Sequence, residues 1–150
     1  IDSNGVQIFS SLGFRGPTRL IKGHEAVRKC VKSGRNLIGE TSTVLMHTKS
    51  IQSAGPFKTN YTLDLDMWFR LLKTSDCEFI SLPLSSFRIH GGSSTSTLKK
   101  YQAKEFITLT KWAEGEFSNI SKLTRIVGGL YCYLGQYLRR MLYRFESFKK

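Results

Sequence analysis

Apolar residues recur at helical spacing in four stretches of the chain and alternate or run together in three others. His24 to Ser33 carries Ala26, Val27, Cys30 and Val31 on one face, and Gly34 is placed to stop it, so a helix is predicted there. A short helix over Ser50 to Ala54 should end at Gly55-Pro56. A third, beginning at Thr62 or Asp64 as its N-cap, would turn Leu65, Trp68, Phe69 and Leu72 inward, with Asp64 and Asp66 favoured by the positive end of the helix dipole. Thr43 to His47 is β-branched and apolar and reads as a buried strand. Cys77 to Leu82 and Leu84 to Ile89 read as two extended segments hinged at Pro83. Beyond the polar stretch from Ser93 to Thr97 the pattern is helical to the end. Phe106, Leu109, Trp112 and Ala113 mark one helix interrupted at Gly115, and Leu123, Ile126, Leu130, Leu134, Tyr137, Leu138 and Met141 mark another.

Composition adds a constraint on partners. A net charge of +12 over 150 residues predicts attraction to polyanions: nucleic acid, anionic lipid or diphosphate groups. From Lys99 onward there are eleven Lys and Arg against four Asp and Glu, so this last third holds +7 of the excess. Cys30, Cys77 and Cys132 are odd in number and lack a Cys-x-x-Cys spacing, which points to neither a disulfide framework nor a zinc site and suits a reducing, cytoplasmic setting. The uncharged run from Ile126 to Leu138 is shorter than the roughly 18 to 20 residues that cross a bilayer. The opening Ile1-Asp2-Ser3-Asn4-Gly5 reads as a strand and turn already in progress, as expected of a piece of a longer protein.

Candidate chemistry concentrates in two blocks. Leu63-Asp64-Leu65-Asp66-Met67-Trp68-Phe69-Arg70 sets two carboxylates at a helix start, and Phe87-Arg88-Ile89-His90-Gly91-Gly92 ends an apolar segment in two basic side chains and a flexible turn. A carboxylate within hydrogen-bond reach of a hydroxyl can act as a general base, and a departing diphosphate needs positive charge to absorb its developing negative charge. Asp64 or Asp66 suits the first task, Arg88 and His90 the second. Taken singly, each residue has a plainer reading: both acids as partners of the helix dipole, and Asp66 with Arg70 as an ion pair four residues apart.

In their order along the chain these blocks resemble the family-2 glycosyltransferases. Asn36 to Val44 is similar to their "N-x-I-G-E-P-S-x-V" segment, Ala54-Gly55-Pro56-Phe57 to their "G-G-F" turn, Leu63 to Leu71 to "E-D-Y-D-L-W-L-R-L", and Leu84 to His90 to "L-x-x-Y-R-x-H". Leu63 stands where the family has Glu and Thr41 where it has Pro, and no Asp-x-Asp metal motif corresponds. The resemblance implies an α/β fold, the C-terminal, acceptor-side part of a GT-A nucleotide-diphospho-sugar transferase over residues 1–98, followed by a basic amphipathic helical extension over 99–150. It implies inverting sugar transfer from a nucleotide-diphosphate sugar to a glycan or lipid-linked acceptor. Asp64 would be the catalytic base and Asp66 and Arg70 its supports. Glu40, Thr41, Ser42, Trp68 and Arg88 would contact substrate, and His90 would bind a divalent metal, Mn2+ or Mg2+, whose other ligands lie upstream. By the same resemblance this stretch alone should be inactive and bind nucleotide sugars weakly.

A rival class is a non-catalytic basic module that binds nucleic acid or an anionic membrane. No nucleic-acid signature such as a zinc finger or an aromatic RNA-binding strand is visible, which makes nucleic acid the less expected partner. The C-terminal helix, with Tyr131, Tyr133 and Tyr137 beside Arg139, Arg140 and Arg144, suits a solvated bundle face and a membrane interface equally. A cytoplasmic protein, peripheral at the inner face of the membrane, is the expectation.

Overall fold

The computed structural model describes residues 1, 4–8, 13–88 and 101–147, with side chains in the last helix described through 138 and at 141. Within them the chain forms strand β1 (Arg19–Ile21), helix α1 (Gly23–Ser33), a single 3-10 turn (Thr41–Thr43), α2 (Thr48–Ala54), α3 (Leu63–Leu72), strand β2 (Cys77–Phe79), α4 (Gln102–Glu116) and α5 (Lys122–Ser147).

α1 follows its sequence pattern closely. Ala26, Val27, Cys30 and Val31 are all buried, and Gly34 adopts φ 70°, the left-handed conformation that closes a helix without a Cβ clash. Burial pushes the Cys30 thiol up to about 12, which makes it core and not nucleophile. Asp76 anchors the other end of the helix, its Oδ1 accepting the Gly23 N–H at 2.9 Å and its Oδ2 meeting Lys22 Nζ at 2.9 Å.

α3 lies between α1 and α2, so its buried face is wider than a single stripe and takes in Met67 as well as Leu65, Trp68, Phe69 and Leu72. α4 and α5, in the segment read as a basic extension, share this core. Phe106, Leu109, Ala113, Phe117, Ile120 and Cys132 pack in the same cluster as the buried residues of α1 and α3. α5 meets α1 almost backbone to backbone: a Cβ on Gly128 would stand 1.7 Å from the Val31 carbonyl oxygen, and one on Gly34 2.5 Å from the Gly128 oxygen.

The expected α/β architecture is not what the chain forms. The described residues make a mostly helical protein of five helices, with one two-stranded antiparallel sheet pairing Arg19 with Phe79, Leu20 with Glu78 and Ile21 with Cys77. The sheet of a nucleotide-diphospho-sugar transferase needs several strands buried on both faces; these two have three residues each. Thr43 to His47 keeps the alternation of a strand, with Val44 and Met46 packed on the core and Leu45 fully exposed, but no strand among the described residues pairs with it. Only four residues separate the 3-10 turn from α2. After Phe79 the chain leaves the sheet, and Ile80, Leu82 and Leu84 are exposed around Pro83, which has no N–H to give.

Glu105 of α4 ties the loop before α3 to the helical layer. Its carboxylate accepts the N–H groups of Tyr61 at 2.7 Å, Thr62 at 3.0 Å and Asn60 at 3.3 Å, and the Thr62 hydroxyl at 3.3 Å. Thr62 occupies the N-cap position, but no side-chain bond caps the helix from there. Burial pushes the Glu105 carboxyl up, yet the donors from Thr62, Tyr61 and Asn60 outweigh it and hold it below the ordinary carboxylate range. Its folded value is the lower one, so its contribution is complete above the unfolded-state value and fades as the pH falls through the folded value. Glu105→Ala should therefore cost about 2 kcal/mol, with water reaching some of the abandoned donors. In chemical denaturation the gap between wild type and variant should narrow from about pH 7 to about pH 3; a gap independent of pH would contradict this role.

Candidate functional site

The Asn36 to Val44 segment is a turn built by side-chain bonds. Asn36 Oδ1 accepts the N–H of Ile38 at 3.0 Å and of Gly39 at 3.2 Å, and its Nδ2 donates to the Gly39 carbonyl at 2.8 Å. Gly39 has φ 137°, where a side chain would be strained, and a Cβ there would stand 2.3 Å from Thr43 Oγ1. The next turn closes when the Thr43 N–H and hydroxyl both donate to the Glu40 carbonyl, at 2.9 and 2.8 Å.

Four bonds clamp the motif segments onto α3. Trp68 Nε1 donates to the Gly39 carbonyl at 2.8 Å. One turn earlier on the helix, the Thr41 hydroxyl donates to Asp64 Oδ1. On the neighbouring face Arg70 holds Asp66 Oδ2 through Nε at 3.1 Å and Nη2 at 2.8 Å, and reaches the Ala54 and Pro56 carbonyls with its remaining donors. The three blocks at 36–45, 54–57 and 63–71 thus meet around the N-terminal half of α3.

The structure sorts the expected site residues accordingly. Asp64 sits in the first turn of α3, half-buried, with Thr41 as its partner. Among the described residues its Oδ2 carries no hydrogen bond and is the oxygen able to receive a proton. Asp66 and Arg70 form the expected ion pair, at 14% and 12% side-chain exposure. Trp68 is buried at 2% exposure, and its indole N–H holds the Gly39 carbonyl. Thr41 serves Asp64 first, while Glu40 and Ser42 are exposed beside it. Arg88 is exposed in the segment after Pro83, and the expected metal residue His90 lies outside the described residues, as does any pairing of Asp64 with it.

No sequence pattern marks Glu105 as the anchor of the loop before α3, because its partners are more than forty positions away. The expected Mn2+ or Mg2+ site, resting on His90 and on ligands upstream, lies outside the described residues. Among them no three His, Cys, Asp or Glu side chains converge, and Asp66 is committed to Arg70. A cavity of about 610 Å³ lies at the other end of α3, around His24, Leu72, Asp76 and Asn119. Leu72 is about 12 Å along the helix from Asp64, which separates this cavity from the motif cluster.

No protein-family model, curated protein or solved structure matches this chain.

Proposed function

We propose that Asp64 is the general base of a glycosyl-transfer site. An acceptor hydroxyl placed against Oδ2 would lose its proton to Asp64 as its oxygen bonds to the anomeric carbon of a nucleotide-diphosphate sugar. The bond from that carbon to the diphosphate oxygen breaks in the same step, and the diphosphate leaves with the electron pair. A single in-line displacement inverts the anomeric centre and needs one carboxylate; a retaining double displacement would need a second, nucleophilic one.

The observation that carries this reading is the Thr41 to Asp64 hydrogen bond. It fixes one carboxylate oxygen and leaves the other for the acceptor, and it joins two segments that each resemble a glycosyltransferase motif. Trp68 adds a second joint between these two blocks, and Arg70 ties in the 54–57 turn.

The test is transfer by the protein as its source makes it. Nucleotide-diphosphate sugars offered with mono-, oligo- and lipid-linked saccharides should give product for at least one pair, with the anomeric configuration inverted. Retention of configuration, or no release of nucleotide diphosphate from any donor, would overturn the proposal.

A further inference from the structure

α5 is turned inside out. A surface helix of a closed bundle buries its apolar stripe and shows its polar side to water. Here the residues facing α1 are Gly128, Cys132 and Gln136, four apart and all buried. The opposite side carries Ile126, Leu130, Tyr133, Leu134, Tyr137 and Met141, all exposed, with Leu130 at 66% and Tyr137 at 60%. The glycine contact with α1 leaves little freedom to roll the helix over, because any Cβ at 128 would strike the Val31 carbonyl. A groove of about 180 Å³ between α4 and α5, lined by Ile107, Ile126, Leu130 and Tyr133, extends the apolar surface.

The surroundings of this face are basic. Lys104 and Lys111 stand three residues before and four after Ile107 and so share its side of α4; Lys122 stands four before Ile126 on α5; all three are exposed. From Phe117 to Lys150 the chain has seven Lys and Arg and a single acid, Glu146. A second copy seated on this face would bring like charges together. No helix among the described residues is long and apolar enough to cross a membrane.

We propose that this face docks the protein on an anionic lipid bilayer. α5 lies in the headgroup plane with its apolar side in the acyl boundary, and the lysines around it meet lipid phosphates. Tyr133 and Tyr137 suit that depth, with an apolar ring and a polar tip. None of these residues belongs to the Asp64 cluster, so the proposal stands or falls apart from the sugar-transfer reading.

Co-sedimentation with vesicles tests it. Vesicles of phosphatidylcholine containing about a third phosphatidylglycerol should bind the protein at least roughly tenfold more tightly than phosphatidylcholine alone, and added salt should weaken the binding. The double variant Leu130→Ser with Tyr137→Ser, whose helix content circular dichroism would show to be unchanged, should lose it. A triple Lys→Gln variant at 104, 111 and 122 should lose the preference for anionic vesicles. Absence of binding to either vesicle would overturn the proposal, as would undiminished binding of the double variant. So would a lipid-free dimer that the double variant dissociates, since the face would then belong to a second copy.

Discussion

Asp64→Asn is expected to lower the turnover number for sugar transfer by about 10² to 10⁴ while leaving the acceptor KM nearly unchanged. Asparagine preserves the shape of the side chain and an oxygen for the Thr41 hydroxyl, so the 36–45 segment stays attached to α3. It removes only the capacity to take a proton. Some stability goes with the charge, since a carboxylate in the first turn of α3 interacts favourably with the helix dipole, and a loss of about 0.5 kcal/mol is expected from that alone. The two effects separate the competing roles. If Asp64 serves only the helix dipole, the variant shows the small stability loss and full transfer. Steady-state kinetics beside a denaturation curve on the same preparation decides between them. Thr41→Val should fall between wild type and Asp64→Asn, because the base remains but one of its oxygens loses its fixed position.

What the sequence made legible was local. The helical period marked α1, α3 and α5 with their buried or apolar faces, and Gly34 and Gly55 marked two of the stops, the second ending α2. α4 was legible too, although its predicted break at Gly115 fell inside the helix. A Cβ there would meet nothing, so that position is unconstrained, and a glycine near a helix end costs only about 1 kcal/mol. Strands were another matter. The apolar run Val44-Leu45-Met46 was read as a buried strand, but Leu45 is fully exposed, and whether a partner strand exists is decided elsewhere in the chain. The α/β expectation followed from the motif resemblance, and the two three-residue strands that form do not supply the sheet it requires.

The same division runs through the candidate site. Asp66 with Arg70 could be read from their spacing alone, since four residues on a helix bring side chains together. The link from Thr41 to Asp64 spans 23 residues, and that from Glu105 to Thr62 spans 43. No local pattern encodes such pairings. The apolar stripe of α5 was equally plain in the sequence, but its period could not say which side faces the core. Small residues at 128 and 132 on the other side settle that, by letting α1 approach more closely than a leucine would allow.

Arg70→Met should destabilise the fold by about 3 kcal/mol, more than its loss of charge on an exposed surface would cost. Arg70 and Asp66 are both largely withdrawn from water, so removing one strands the other as an unpaired buried charge. The variant also abandons the Ala54 and Pro56 carbonyls, which a methionine cannot reach with a donor. Arg70→Lys keeps the charge but not the planar fork of donors, and should recover less than half of the loss. Pairing Arg70→Met with Asp66→Leu removes both ends of the bridge and should be less damaging than Arg70→Met alone, as a double-mutant cycle of urea midpoints would show. If the single variant lies within about 0.5 kcal/mol of wild type, the pair is behaving as an exposed salt bridge and does not hold the 54–57 turn to α3. If stability falls as expected, transfer should fall with it well below the unfolding transition, because the turn released by Arg70 belongs to the same cluster that positions Asp64.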